Sequence, residues 1–279
     1  MDRKALATSL ALCALVALSL SAAQMKKTTP SQEPEMHLFI DIYTEGSMGV
    51  PQTSSDRPAL FKILQDAKLL ITPSLYKIDT TNLPETVTPS QFIQAVTEAF
   101  GTWDQEVTAN LFEYDPSAPA DTILDWPAPW GPGFDFSNDV FFKDLRTDPY
   151  LSEFYPDVVD HIIAITLTWF MGPGSQGSGG GFHYAYIFDF DMAFNTGVLD
   201  GVVPWSTQPL SGQRWDVKEI ALHEAGHTLF LDDLYMDAAR GQTMYGYGVP
   251  AGYKGHLPDH ALGNGDILGV RTLYREARE

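Results

Sequence analysis

The stretch that decides the fold and the candidate site is Trp215–Tyr247, WDVKEIALHEAGHTLFLDDLYMDAARGQTMYGY. It contains the HExxH pattern, in which His223 and His227 are four residues apart and Glu224 follows the first of them. Residues four apart on a helix lie on the same face, so both imidazoles can reach one metal ion. Glu224 can then reach a water on that ion. The stretch predicts a helix that carries two metal ligands and a carboxylate base.

The residues around the motif favour a buried helix. Asp216 is suited to the N-cap, with Glu219 three residues later as in a D-x-x-E capping box. Small or apolar residues follow at helical spacing: Val217, Ile220, Ala221 and Ala225. The alternative interpretation is a helix whose two histidines hold no metal.

A third ligand is expected six residues after the second histidine. Catalytic zinc usually has three protein ligands and one position open for water, and the extended pattern HExxHxxGxxH supplies the third from that spacing. The residue there is Asp233, whose carboxylate oxygen can ligate zinc. Its neighbour Asp232 is the alternative.

The first 23 residues predict a secretory signal peptide. A short basic region precedes the apolar run Ala5–Leu20, and Ser21-Ala22-Ala23 provides small residues for cleavage after Ala23. We therefore expect a secreted or extracytoplasmic protein; an uncleaved N-terminal membrane anchor is the alternative. Cys13 is the single cysteine, so the mature chain would have no disulfide and no cysteine ligand.

The net charge of the chain limits the classes of partner that we expect it to bind. The chain has 36 acidic and 17 basic residues, for a net charge of −19. Such an acidic chain is not expected to bind nucleic acid or an anionic membrane surface. The excess of carboxylates is compatible with bound cations such as calcium.

The pattern along the chain predicts a linker and N-terminal extension over residues 24–70 and one catalytic domain over 71–279. In the extension, Met36–Tyr43 is expected to be a strand and Ala59–Leu70 a short amphipathic helix. In the domain, Thr88-Pro89-Ser90-Gln91 is typical of a helix start. The apolar stripe that follows predicts a long core helix: Phe92, Ile93, Val96, Phe100, Trp103 and Val107.

Further strands are expected at Val158–Trp169 and Phe182–Phe190, on either side of a glycine-rich loop. Asp189 and Asp191 lie at the end of the second strand, where their oxygens could hold calcium; a solvated strand end is the alternative. Residues 115–137 form a long loop, and loops of that length are often functional.

These motifs resemble the metzincin metalloproteases, and within them the matrixin-like group. The zinc pattern with Asp233 matches, Thr243-Met244-Tyr245-Gly246 looks like the Met-turn, and Leu262–Tyr274 is similar to the closing helix. The segment Ile187–Asp191 looks like the edge strand. The resemblance covers roughly residues 75–279. It implies an α+β fold: a mixed twisted sheet with an active-site helix, a second long core helix and a C-terminal helix.

The resemblance also implies a zinc endopeptidase. His223, His227 and Asp233 would bind one catalytic zinc, and Glu224 would act as general base. Met244 would shape the floor of the site. Candidates for the wall of the substrate pocket, with core packing as the alternative, are Tyr245 and Tyr247. The edge strand near His183–Ile187 would pair with an extended polypeptide substrate.

One position departs from the family pattern, which has glycine where this chain has Phe230. If the helix continued through Phe230, Asp233 would not necessarily lie at the metal. The alternative function is therefore a non-catalytic secreted binding module on a degenerate metzincin scaffold. A zinc hydrolase that acts on something other than peptides is a third hypothesis.

Overall fold

The computed structural model describes residues 34–43, 60–64, 67–117, 120–172, 184–207, 213–248 and 260–274. The predicted signal peptide and Cys13 lie outside these residues, as does His183. The described part forms a mixed β-sheet packed against α-helices, which confirms the predicted α+β class. Within it, no helix is long and apolar enough to cross a membrane.

Ten strands and four α-helices make up the described part. The strands are β1 (Pro34–Tyr43), β2 (Ala67–Leu69), β3 (Ser74–Ile78), β4 (Phe112–Tyr114), β5 (Asn138–Lys143), β6 (Ile162–Met171), β7 (Ala185–Asn195), β8 (Trp205–Ser206), β9 (Trp215–Asp216) and β10 (Tyr247–Gly248). The helices are α1 (Pro89–Asp104), α2 (Pro149–Phe154), α3 (Val217–His227) and α4 (Asn264–Leu273).

The main sheet has the strand order β10-β1-β6-β7-β5-β3-β4, and β2 also pairs with β7. Strand β6 runs antiparallel to both of its neighbours, β1 and β7, whereas the other pairs are parallel. The short strands β8 and β9 form a separate pair.

The sheet has an apolar core on each face. The larger core lies between the sheet and helices α1, α3 and α4, and it includes Trp103, Phe190 and Val270. The smaller core lies on the other face and includes Leu124 and Trp126 from the long loop. Burial on both faces explains why β6 is a nearly continuous apolar run.

Helix α1 forms as the sequence predicts. Thr88 and Gln91 make the reciprocal capping box, and Pro89 occupies the first turn. The Trp103 indole donates a hydrogen bond to the Leu222 carbonyl oxygen at 2.9 Å, which ties α1 to the HExxH helix. The long core helix is therefore the direct support of α3.

Two expectations were wrong. Residues 60–64 and Ala67–Leu69 do not form the predicted amphipathic helix: Ile63 bridges to Leu231, and Ala67–Leu69 is the strand β2. Pairing with distant backbone outweighs the helical spacing here. The segment Ile187–Asp191 is also not an edge strand, because β7 is paired on both sides.

Two strands of the 24–70 segment, β1 and β2, belong to the same sheet as the rest. Strand β5 and helix α2 had no counterpart in the sequence interpretation. The run NDVFFK is six residues long and lacks polar alternation, so periodicity alone cannot identify it.

Candidate metal centre

Helix α3 places the two histidines. Asp216 caps it by accepting hydrogen bonds from the Lys218 and Glu219 amides, as predicted. His223 and His227 lie one turn apart and are 4% and 0% exposed. Their ring centroids are 4.7 Å apart, so both rings lie on the buried face of the helix.

Each imidazole is oriented by a hydrogen bond at its Nδ1 atom. Nδ1 of His223 lies 2.7 Å from the Thr243 carbonyl oxygen, and Nδ1 of His227 lies 2.8 Å from that of Leu231. A carbonyl can only accept, so each Nδ1 carries a proton. In the neutral rings each Nε2 is then left with a lone pair, and the two Nε2 atoms are 3.0 Å apart.

The chain turns sharply after α3, although no glycine stands there. Phe230 has φ +64°, in the left-handed region. The Leu231 amide donates to the Gly226 carbonyl and the Phe230 amide to that of His227, which is the Schellman arrangement. A non-glycine residue in this conformation costs about 1–2 kcal/mol. Packing holds it, because the Phe230 ring is 1% exposed and lies edge-on to Phe170 at 4.8 Å.

This turn brings Asp233 to the histidines. Its Oδ1 lies 3.2 Å from Nε2 of His223 and 3.6 Å from Nε2 of His227, and it accepts no hydrogen bond from the described residues. Its Oδ2 accepts a hydrogen bond from the Tyr235 hydroxyl at 2.9 Å. The alternative ligand, Asp232, instead forms an ion pair with Lys62.

Burial and the neighbouring charges shift the pKa values of all three residues. Burial lowers the pKa of His227 to about 3. Burial also opposes a charge on His223, but the nearby carboxylates of Asp233, Asp41 and Glu224 together outweigh it, so the pKa of His223 lies well above its usual value. The pKa of Asp233 is lowered, because His227 and His223 outweigh the effect of its burial.

Three acceptor atoms therefore converge: two Nε2 lone pairs and one carboxylate oxygen, all within 4.8 Å of one another. Two imidazoles and one carboxylate are a ligand set that zinc uses in catalytic sites. Oδ1 of Asp233 has no hydrogen-bond partner among the described residues, and both rings make their backbone hydrogen bonds through Nδ1. This arrangement fits a bound cation.

Glu224 lies beside this centre and is fully buried. Its Oε2 accepts a hydrogen bond from the Thr166 hydroxyl on β6 at 2.5 Å. Its Oε1 has no partner in the described part of the chain. Burial raises the pKa of Glu224 to about 8, with His223 opposing the shift. One oxygen is thus fixed and the other is available to take a proton.

Met244 lies under the helix, against Gly226. A Cβ atom on Gly226 would collide with the Met244 sulfur and the Trp103 ring, which explains the glycine in HEAGH. The turn at Met244 is anchored by Asp266 of α4, which accepts from the amides of Thr243 at 2.6 Å and Met244 at 3.2 Å. Asp266 is a supporting residue that sequence reasoning missed.

The two tyrosines after Met244 are placed differently. Tyr245 is half-buried, and the Arg240 guanidinium lies 5.6 Å from its ring centroid. The backbone of Tyr247 pairs with Ile42 in β10. Neither position assigns a substrate contact, so their pocket role stays a prediction.

Asp41 on β1 is a second missed residue. It is 2% exposed, and one of its carboxylate oxygens, one of Glu224 and a nitrogen of His223 lie within 4.8 Å of one another. The sequence carried a signal, because an acidic residue interrupts the apolar strand MHLFIDIY.

A second group of carboxylates lies at the start of β5 and in the middle of β7. We call it the acidic cluster; it comprises Asp121, Asp125, Asp135, Asp139 and Asp189, in two overlapping sets that share Asp135. Of the two predicted calcium ligands, Asp189 belongs to it. Asp191 instead accepts from the Asp125 amide at 2.9 Å through Oδ2.

Comparison with known proteins finds similarity over part of the chain. No family model matches the chain. A hatching enzyme from Paracentrotus lividus is 37% identical over 76 residues, which are 27% of this chain. The match spans 11% of the length of that relative.

Proposed function

We propose that the protein is a zinc-dependent endopeptidase, secreted or otherwise exported. The observation that carries the proposal is the convergence of His223, His227 and Asp233, whose Nε2 and Oδ1 atoms face one another while their other polar atoms are held by hydrogen bonds. The partial similarity to a hatching enzyme supports an enzymatic role, and the predicted signal peptide supports export.

Zinc, when bound, would supply a Lewis acid that activates water and polarises a carbonyl. Glu224 would accept the proton of that water at Oε1 and pass it to the leaving amine. Thr166 holds the other carboxylate oxygen, so Glu224 keeps one orientation during the transfer. A raised pKa, about 8, suits a group that must take a proton and release it.

The acidic cluster supports a separate proposal: a calcium site. Asp125, Asp139 and Asp189 are each at most 3% exposed, and each has one carboxylate oxygen with no hydrogen-bond partner among the described residues. Calcium binds six to eight oxygens, mostly carboxylate and carbonyl. The cation would join the long loop to the start of β5 and the middle of β7.

The zinc peptidase is tested with purified full chain. We expect about one zinc per chain and cleavage of an unstructured protein, with a chelator abolishing cleavage. The variant Glu224→Ala should keep its zinc and lose cleavage by about 10²–10⁴-fold. Exposed Asp157→Asn serves as control. Cleavage by Glu224→Ala at the control rate would sink the proposal.

The non-catalytic binding module remains the second candidate, and one observation favours it. Strand β1 fills the outer edge of β6, beside the metal centre. Stoichiometric zinc with no cleavage of any polypeptide, even after β1 is displaced, would favour that function.

A further inference from the structure

The acidic cluster is divided into two sets of carboxylates. We call Asp125, Asp135 and Asp189 the inner set, and Asp121, Asp135 and Asp139 the outer set. Within each set, the oxygens that could bind a metal lie within 4.8 Å of one another, but the five residues, all of them described, do not together form one such group. Two ligands of one calcium ion are at most about 5 Å apart, because each Ca–O distance is about 2.3–2.6 Å. One ion can therefore serve one set but not both.

Each set contains a buried carboxylate oxygen that lacks a hydrogen-bond partner among the described residues. In the inner set these oxygens are Oδ2 of Asp125 and Oδ1 of Asp189, and in the outer set it is Oδ1 of Asp139. The three residues are 3%, 0% and 2% exposed. A buried acceptor without a partner costs free energy, and the ion pairs of the described residues involve none of the five carboxylates. Each set thus fits a cation of its own.

The charge of the cluster is large enough for two dications. Burial raises the pKa of Asp125 to about 8, that of Asp189 to about 7 and that of Asp139 to about 6, and neighbouring carboxylates add to all three shifts. Lys77 lies opposite Asp139 in the β3–β5 register, but its ammonium donates a hydrogen bond to the Ser137 hydroxyl at 2.9 Å. When all five carboxylates are ionised, one calcium leaves a charge of −3 and two leave −1.

Asp135 belongs to both sets, so it can join two ions. Its amide donates a hydrogen bond to Oδ2 of Asp189 at 2.9 Å, and its own Oδ1 accepts one from the Ser137 amide at 2.7 Å. These two bonds hold the residue between the sets. A carboxylate offers about four lone-pair sites, so one accepted hydrogen bond leaves enough capacity for two cations.

We propose that the acidic cluster binds two calcium ions, one in the inner set and one in the outer set, and that Asp135 bridges them. This inference deepens the proposed calcium site and rests on it, but it does not depend on the zinc peptidase. The inner ion has two buried ligands, Asp125 and Asp189, whereas the outer ion has one, Asp139. Because affinity for calcium depends on the rigidity of the site, the outer ion should bind at least about tenfold more weakly.

The first test counts the ions. Equilibrium dialysis with Ca²⁺ is carried out on the full chain with zinc supplied, so that calcium does not compete for the histidines. Wild type and the exposed control Asp157→Asn should each bind two calcium ions. Asp121 is also exposed, so Asp121→Asn should fold, keep the inner ion and weaken the outer one at least about tenfold.

The count separates this inference from the simpler proposal of one calcium site. One calcium ion per wild-type chain overturns the inference and leaves a single site standing. No bound calcium overturns both proposals. Two ions whose affinities are the same in Asp121→Asn and in wild type also overturn the inference, because the outer set would then not hold the second ion.

The second test concerns the bridge. Manganese(II) prefers the same oxygen ligands, and ions in two-metal sites are about 3.5–4 Å apart, so two bridged manganese ions should give an exchange-coupled electron paramagnetic resonance spectrum. Asp135→Asn should abolish the coupling and weaken both ions at least about tenfold, whereas Asp157→Asn should keep the coupled spectrum. Two uncoupled ions in wild type, or loss of only one ion in Asp135→Asn, overturns the inference.

Discussion

The metal centre and the acidic cluster both gather buried carboxylates, but they are built differently. At the metal centre, each histidine is oriented on its far side by a backbone carbonyl, and Asp233 by Tyr235. In the acidic cluster, Asp189 accepts from the Asp135 and Phe136 amides through Oδ2, while its Oδ1 has no partner among described residues. Nitrogen and oxygen donors suit zinc, and an all-oxygen set suits calcium.

The two sites differ in how the chain brings their residues together. The metal centre takes its three ligands from eleven consecutive positions, and a helix and one turn suffice to assemble it. The acidic cluster draws on a loop, the start of β5 and the middle of β7, so it exists only after the sheet has formed. We therefore expect the first site to control chemistry and the second to control stability.

The largest expected effect is the difference in zinc affinity between alanine variants of Asp233 and Asp232. Asp233→Ala removes the carboxylate that faces both histidines, so zinc affinity should fall by at least about 100-fold. Asp232→Ala removes the ion pair with Lys62 and the hydrogen bond from the Asp233 amide, but no atom that faces the histidines, so zinc affinity should change far less. Chelator competition measures both. Equal losses in the two variants would contradict the ligand assignment.

Calcium should stabilise the protein through the acidic cluster. At a concentration 100 times its dissociation constant, it would add about 2.7 kcal/mol and raise Tm by about 5–10 °C. Asp189→Asn should abolish the response, whereas Asp157→Asn should keep it. Terbium luminescence gives a direct readout, because the Trp169 indole donates to the Asp125 carbonyl at 2.9 Å. If calcium stabilised Asp189→Asn as much as wild type, the proposed calcium site would be wrong.

The same cluster predicts a pH dependence. Burial raises the pKa of Asp125 to about 8, with Asp189 adding to the shift. The folded state therefore binds a proton that the unfolded state has lost, and metal-free stability falls as pH rises from about 4 to about 8. Relative to Asp125→Asn, wild type should lose about 1–3 kcal/mol over this range. Denaturant midpoints at pH 5 and pH 8 measure the difference; parallel curves would contradict it.

The smallest effect concerns the turn at Phe230. Phe230→Gly relieves the left-handed strain but loses a buried ring, so we expect a net loss of about 2 kcal/mol. Phe230→Ala keeps the strain and should be about 1 kcal/mol less stable than the glycine variant. Thermal unfolding of both variants tests this. A glycine variant that is the less stable of the two would show that the strain is absent.

The sequence predicted what depends on local spacing. The capped helix α1, the HExxH helix and the α+β class follow from periodicity and end signals, and they are confirmed. Asp41 lies 182 residues before His223, Thr166 lies 58 residues before Glu224, and Asp266 lies 23 residues after Thr243, so no local pattern joins these residues to their partners. Phe230 shows a different limit of prediction from sequence. The family pattern predicts glycine at this turn, but it does not take into account the packing that lets phenylalanine replace it.

The anchoring of the Met244 turn by Asp266 has a consequence for the order of biosynthesis. The amide of Thr243 finds its acceptor 23 residues later in the chain. Since translation proceeds from the N-terminus, the histidines emerge from the ribosome before the group that fixes the floor beneath them. A nascent chain that has passed HExxH but not Asp266 therefore carries the candidate ligands without the group that fixes the turn beneath them, and ribosome stalling at that point would hold it in this state.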